Sequence, residues 1–127
     1  MNKYRDKSDF EINKDVAIAI GFPCYYGDGS YTNGLGLRAA VVKGKNINGN
    51  YMVGGFDPCN NPADAMPIII ENGISIIFDT GCKAWVAGIA YWLDGCEWQI
   101  SYEVERMNQY RAAMELFLMM KDAENEK

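Results

Sequence analysis

The run Asn108-Gln109-Tyr110-Arg111-Ala112-Ala113-Met114-Glu115-Leu116-Phe117-Leu118-Met119-Met120 constrains the fold more than any other segment. It is apolar nearly all round, so the helix it forms belongs inside the protein and not on its surface. Arg111 stands in the first turn of that helix, where the helix dipole disfavours a cation. Its charge needs a partner, and two kinds are open. One is a carboxylate of this chain, Asp64 or Glu71, and the other is a bound anion.

The 127 residues suffice for one compact domain with a substantial core and are too few for two. About half of them are apolar and aromatics are frequent, as in ordered globular chains. The formal net charge of −5 argues against binding to a nucleic acid duplex, whose non-specific affinity comes from neutralised phosphates. No apolar h-region follows the charged Met1–Lys7 stretch, and no apolar run reaches the length of a membrane span. A soluble, cytoplasmic protein without a membrane partner is expected. Cys24, Cys59, Cys82 and Cys96 lack CxxC spacing and are expected to be free thiols, mostly buried, with no metal and no cofactor.

The chain contains no histidine. That removes Ser-His-Asp and Cys-His nucleophilic arrangements, histidine metal sites and the commonest general base near neutral pH. The paired carboxylates Glu103 and Glu105 alternate on one strand face, with no cleft implied, and make a poor hydrolase dyad. No catalytic residues are assigned.

Ser8-Asp9-Phe10-Glu11 reads as a capping box that opens a helix over about Asp9–Ile20, with Gly21 as its stop. Residues 24–36, rich in Gly, Tyr, Ser and Asn, read as a long loop or irregular hairpin. Leu37–Lys43 and Tyr51–Phe56 read as strands joined by a polar turn. Asn61-Pro62-Ala63-Asp64 opens a second helix, with Pro67 inside it and Asn72-Gly73 closing it. Ile74–Phe78 and Ala84–Trp92 read as strands, the latter buried on both faces. Leu93-Asp94-Gly95 is a hairpin turn into a last strand, where Cys96, Trp98, Ile100 and Tyr102 alternate with polar residues and are expected to face the core. The fold class is therefore α+β: an antiparallel sheet of about five strands, ending in a meander, packed against three helices with the last one buried. Residues 121–127 are expected to fray.

Among candidate binding residues, Tyr25, Tyr26, Tyr31 and Asn33 combine rigid contact area with adaptable hydrogen bonding, the mixture that paratopes use. A plain surface loop or an oligomer contact would look the same. Asn61 begins a helix whose free N–H groups suit a phosphate, although a simple cap explains it too. Arg111 joins the set as a possible anion contact. Trp92, beside the hairpin turn, is the tryptophan expected to be exposed, and Trp98 is expected to pack inside. Met114, Met119 and Met120 read as core.

Three segments, Ser8-Asp9-Phe10-Glu11-Ile12-Asn13, Asn61 to Ile69, and Arg111-Ala112-Ala113-Met114 with Phe117-Leu118-Met119-Met120, together resemble the NinX-like proteins of tailed phages. The chain departs from that pattern at Met66, where tryptophan is expected, and at Gln109-Tyr110, where Pro-Leu is expected. Residues 22–58 have no clear counterpart and read as a variable insert. The resemblance implies a phage or prophage accessory protein in the cytoplasm of the bacterial host, and it implies no reaction.

These readings point to a non-enzymatic binding protein. The leading expectation is sequestration of a small phosphorylated host molecule, such as a nucleotide immune signal. The alternative is a protein–protein inhibitor or adaptor of a host or phage factor, and a histidine-free enzyme is the weakest reading. The sequence also allows a homo-oligomer and fixes no stoichiometry.

Overall fold

In the computed structural model, residues 3–21, 24–26, 41–43 and 55–125 are described. The order is α1 (Asp9–Ala19), β1 (Cys24–Tyr26), β2 (Val41–Lys43), α2 (Pro62–Glu71), β3 (Ser75–Asp79), β4 (Ala84–Leu93), β5 (Glu97–Arg106) and α3 (Gln109–Asn125). The protein is α+β, as expected, but the strands do not form one sheet of about five. Strands β3-β4-β5 make a three-stranded antiparallel meander, and β1 pairs with β2 in a separate antiparallel ladder. The first three residues of the tyrosine-rich stretch are thus strand. The remainder of that stretch, most of the two expected strands at 37–43 and 51–56, and the turn between them lie outside the described residues.

The helix starts follow local chemistry. Ser8 Oγ accepts from the Glu11 amide at 3.1 Å and Glu11 Oε1 accepts from the Ser8 amide at 3.0 Å, a complete capping box. These bonds hold the Glu11 carboxyl below its usual range, with Ser8 the main cause. A depressed carboxyl pKa adds stability above the unfolded value, and that stability is lost as the pH falls through the folded one. Ser8→Ala removes the hydroxyl half of the box and keeps the amide half; it is expected to cost about 1 kcal/mol, as urea denaturation would register. Asn61 caps α2 by accepting from the Ala63 amide at 3.0 Å, Pro62 occupies N1, and the helix runs through Pro67 to Asn72. Gly73, at φ 65°, then turns the chain into β3.

Helix α3 is the interior. Ala112 to Leu118 are all buried without interruption, and α1, α2 and the sheet pack around them. Tyr4, Ile12, Val16, Ile68, Ile69, Ile74, Ala87 and Val104 complete the core, and Met114 lies in its centre with Met119 and Met120 packed against it. Helix α3 continues to Asn125, and the Tyr4 hydroxyl donates to Asp122.

The sheet departs from simple alternation at one point. Ala87 pairs with Val104 but Ile89 pairs with Ser101, so Gly88 faces both Tyr102 and Glu103 across a β-bulge, with Tyr102 at φ 60°. Directly paired residues share a face. Val104 therefore lies with Ala87 on the helix side, whereas Trp98 lies with its partner Trp92 on the other. This corrects the expectation that Cys96, Trp98, Ile100 and Tyr102 face the core. The bulge reverses the parity of β5, so its upstream even-numbered residues point away from α3. Strand β4 is likewise not buried on both faces, because Tyr91, Trp92 and Leu93 run beyond the helices and are exposed.

Candidate functional site

Two constellations stand out: a polar lock among the helices and an aromatic end on the β4–β5 hairpin. The lock centres on Arg111. Its Nε donates to Glu115 at 2.6 Å, Nη1 to Asp9 at 2.7 Å, and Nη2 to the carbonyls of Lys7 at 2.7 Å and Tyr4 at 3.0 Å. The partner is therefore internal, but it is neither Asp64 nor Glu71. Asp9 lies at the start of α1, and Glu115 lies one turn further along α3, at the i,i+4 spacing that favours ion pairs. Burial opposes the charge of Arg111. Hydrogen bonds to Asp9 and Glu115 outweigh that cost and raise its pKa. Glu115, fully buried, also accepts from Arg106 Nη2 at 2.6 Å and Nε at 2.8 Å.

A second set of bonds extends the lock. Asn13 donates to Asp57 at 2.8 Å and accepts from the Cys59 amide at 3.1 Å. Asp64 accepts from the Asp57 amide at 2.9 Å. Asn108 caps α3 by accepting from the Tyr110 amide, and its own amide donates to the Cys59 carbonyl and to Asn60. Cys59 is a buried free thiol whose pKa is raised by burial and then by Asp9, which makes it an inert packing residue. Sequence reasoning missed Asp9, Asn13, Asp57, Arg106 and Glu115 here. Of these, only Glu115, four residues after Arg111, carries a spacing that could have pointed to it.

The other expected site residues do not converge on this lock. Asn61 spends its side chain on the Ala63 amide and on Asp64. Of Tyr25 and Tyr26 only the backbone is described, in β1, while Tyr31 and Asn33 lie outside the described residues. Trp92 sits far along the sheet, at the end of β4.

Two of the hollows on the described surface bear on ligand binding. One, of about 380 Å³, is lined by Ile20, Phe56, Ala63, Pro67 and Ile68 with Asp64 and Glu71, an acidic wall that repels a phosphate. The other, of about 320 Å³, carries Lys3, Lys7 and Lys121. Each of these lysines faces a carboxylate: Asp122 at 3.4 Å, Asp15 at 2.9 Å and Glu124 at 3.7 Å respectively. At the β3–β4 turn, donor atoms of Asp79, Cys82 and Glu105 lie within 4.8 Å of one another, close enough to share a cation. Hydrogen bonds to Glu105 and Asp79 raise the Cys82 pKa and keep its thiol protonated.

The aromatic end is built by the hairpin turn. The Cys96 amide donates to the Leu93 carbonyl at 3.0 Å, with Gly95 at φ 73°, and this closes β4 on β5 with Trp92 opposite Trp98. Their rings meet edge to face, with centroids 5.4 Å apart and planes at 74°. Trp92 is 52 % and Trp98 68 % exposed, and Tyr91 and Leu93 beside them are exposed too. On the same face, Ile77, Val86, Ala90 and Ile100 continue an apolar strip that no described helix covers. Trp92 is exposed as expected. Trp98, expected inside, is the more exposed of the two.

The arrangement is that of a small α+β protein with a polar-locked helical layer and a projecting aromatic hairpin. A family model described as Bacteriophage P22, NinX, matches residues 3–121, and the chain belongs to that family. The three segments that carry the resemblance are the ones the lock ties together through Asp9, Asn13, Asp64 and Arg111. No curated protein and no solved structure matches the chain. No helix among the described residues is long and apolar enough to cross a membrane.

Proposed function

We propose that this protein acts by non-catalytic binding to another protein, with the Trp92–Trp98 end of the β4–β5 hairpin as its contact surface. As a phage or prophage accessory protein in the host cytoplasm, it would serve as an inhibitor or adaptor of a host or phage factor. The observation that carries this reading is a pair of tryptophans packed edge to face and left in water beside Tyr91 and Leu93. Exposed aromatic clusters on a rigid support are the usual anchors of protein interfaces.

Sequestration of a small phosphorylated ligand has less support. Arg111 is spent on Asp9, Glu115 and backbone carbonyls, and Asn61 on its own helix. One hollow is walled by carboxylates, and the lysines of the other are paired. The lack of histidine supports a non-enzymatic role.

Capture from host lysate by the wild type and by Trp92→Ala/Trp98→Ala tests the reading. The wild type should retain a stoichiometric protein that the double variant releases, while the two unfold within about 0.5 kcal/mol of each other. Equal capture by both would refute it.

A further inference from the structure

We infer that the partner of the aromatic hairpin is a protein whose contact face is basic around an apolar recess. This rests on the protein-binding reading above and adds to it the charge of the partner. From Ser75 to Glu105 the chain carries five acidic residues, Asp79, Asp94, Glu97, Glu103 and Glu105, against one cation, Lys83. Most of the net charge of −5 is therefore concentrated on the three-stranded sheet. The next cation, Arg106, is held by Glu115 on α3 and offers the sheet no compensation. Asp79, Glu103 and Glu105 share the face of the apolar strip that runs from Ile77 to the tryptophans, and Asp94 stands in the turn at its far end, a partial ring of carboxylates, whereas Glu97 pairs with Leu93 on the opposite face.

That ring discriminates among occupants. A second copy docking through β5, the edge strand, would meet its own charge: antiparallel self-pairing centred on Ser101 sets Glu97 against Glu105. The bulge at Tyr102 further spoils the edge for strand addition. A nucleic acid would bring phosphates to carboxylates. A neutral apolar surface would fit Trp98 but leave the surrounding acids without partners. Lysine and arginine around an apolar recess satisfy both features, because the recess takes the indole rings and the cations take the ring of acids.

The test uses the full chain and short synthetic peptides sharing one Leu-Phe-Leu centre, flanked by lysine and arginine, by serine and asparagine, or by aspartate and glutamate. Tryptophan fluorescence reads the binding. Basic flanks should bind at least about tenfold more tightly than neutral ones. Raising ionic strength from about 0.05 M to about 0.5 M should weaken that binding by a similar factor. Glu103→Lys/Glu105→Lys should move the preference to acidic flanks, and Trp98→Ala should remove binding to every class. Melting curves verify that these surface variants fold. Trp98-dependent binding that ignores the flanks, or that keeps its preference after charge reversal, overturns this inference and leaves the protein-binding reading intact. Absence of Trp98-dependent binding to any peptide overturns the inference. The lysate experiment then judges the wider reading separately. Concentration-dependent self-association through the hairpin would overturn the inference too.

Discussion

Arg111→Ala is expected to destabilise the protein by about 3–5 kcal/mol, the range for breaking a buried ion pair from one side. Domains of this size commonly have about 5–15 kcal/mol in total, so the loss is between about a fifth and the whole of the stability. The Arg111 side chain is only 12 % exposed, and Glu115 beside it has no exposure at all. Removal takes the Nε donor from the buried Glu115 carboxylate and the Nη2 donor from the Tyr4 and Lys7 carbonyls. The N-terminal segment thereby loses its attachment to α3. Arg111→Lys should recover little, since a single ammonium cannot span Asp9, Glu115 and two carbonyls as a planar guanidinium does. Asp9→Asn, by contrast, should cost less than about 1 kcal/mol, because Asp9 is nearly half exposed and its pairing is screened by solvent. Equilibrium denaturation in urea would rank the three. An Arg111→Ala protein as stable as the wild type would contradict the lock as the organiser of the helical layer.

Phe117→Ala should bring a loss of similar size, about 3–5 kcal/mol, through a different cause. Phe117 heads the large side chains that are fully buried, and it shares the core with Ile12, Val16, Leu116 and Met114. Truncation removes apolar contact and leaves a hole that a close-packed interior refills only in part. The midpoint of denaturation should fall with little change in slope. Trp98→Ala deletes a still larger ring and should barely move that midpoint, because most of the Trp98 surface is already in water. The pair of measurements separates side chains that hold the fold from side chains it displays. A Phe117→Ala loss below about 1 kcal/mol would mean that α3 is not packed as described.

The contrast between these residues follows what a linear chain can reveal. Ser8 with Glu11, Asn61 with Pro62, and Asn72 with Gly73 act on backbone within a few residues, so both helix ends were readable from spacing. The unbroken burial of Ala112–Leu118 was readable because a helix apolar on every side has nowhere else to go. Asp9 was not readable as the partner of Arg111, because the two are separated by 102 residues and share no pattern. Trp98 was misplaced for a subtler reason: a period of two tells which residues share a face only while the ladder is regular. One extra residue opposite Gly88 exchanged the faces of β5, and composition carried no sign of it. The sheet was overcounted because strand-forming stretches reveal nothing about which ladder they join.

The placement of α3 has a consequence for how the protein comes into being. Helices α1 and α2 and the three-stranded sheet close against a helix that follows them all in the sequence, and its guanidinium brace reaches back to residues 4–9. While the ribosome is still extending the chain through the meander, α1 and α2 have their caps but nothing to shut against. A nascent polypeptide halted before Leu118 would be an open shell, vulnerable to proteases and to adhesion. The interior should therefore close in one step once α3 has been made, so that chains cut before it retain no partial interior.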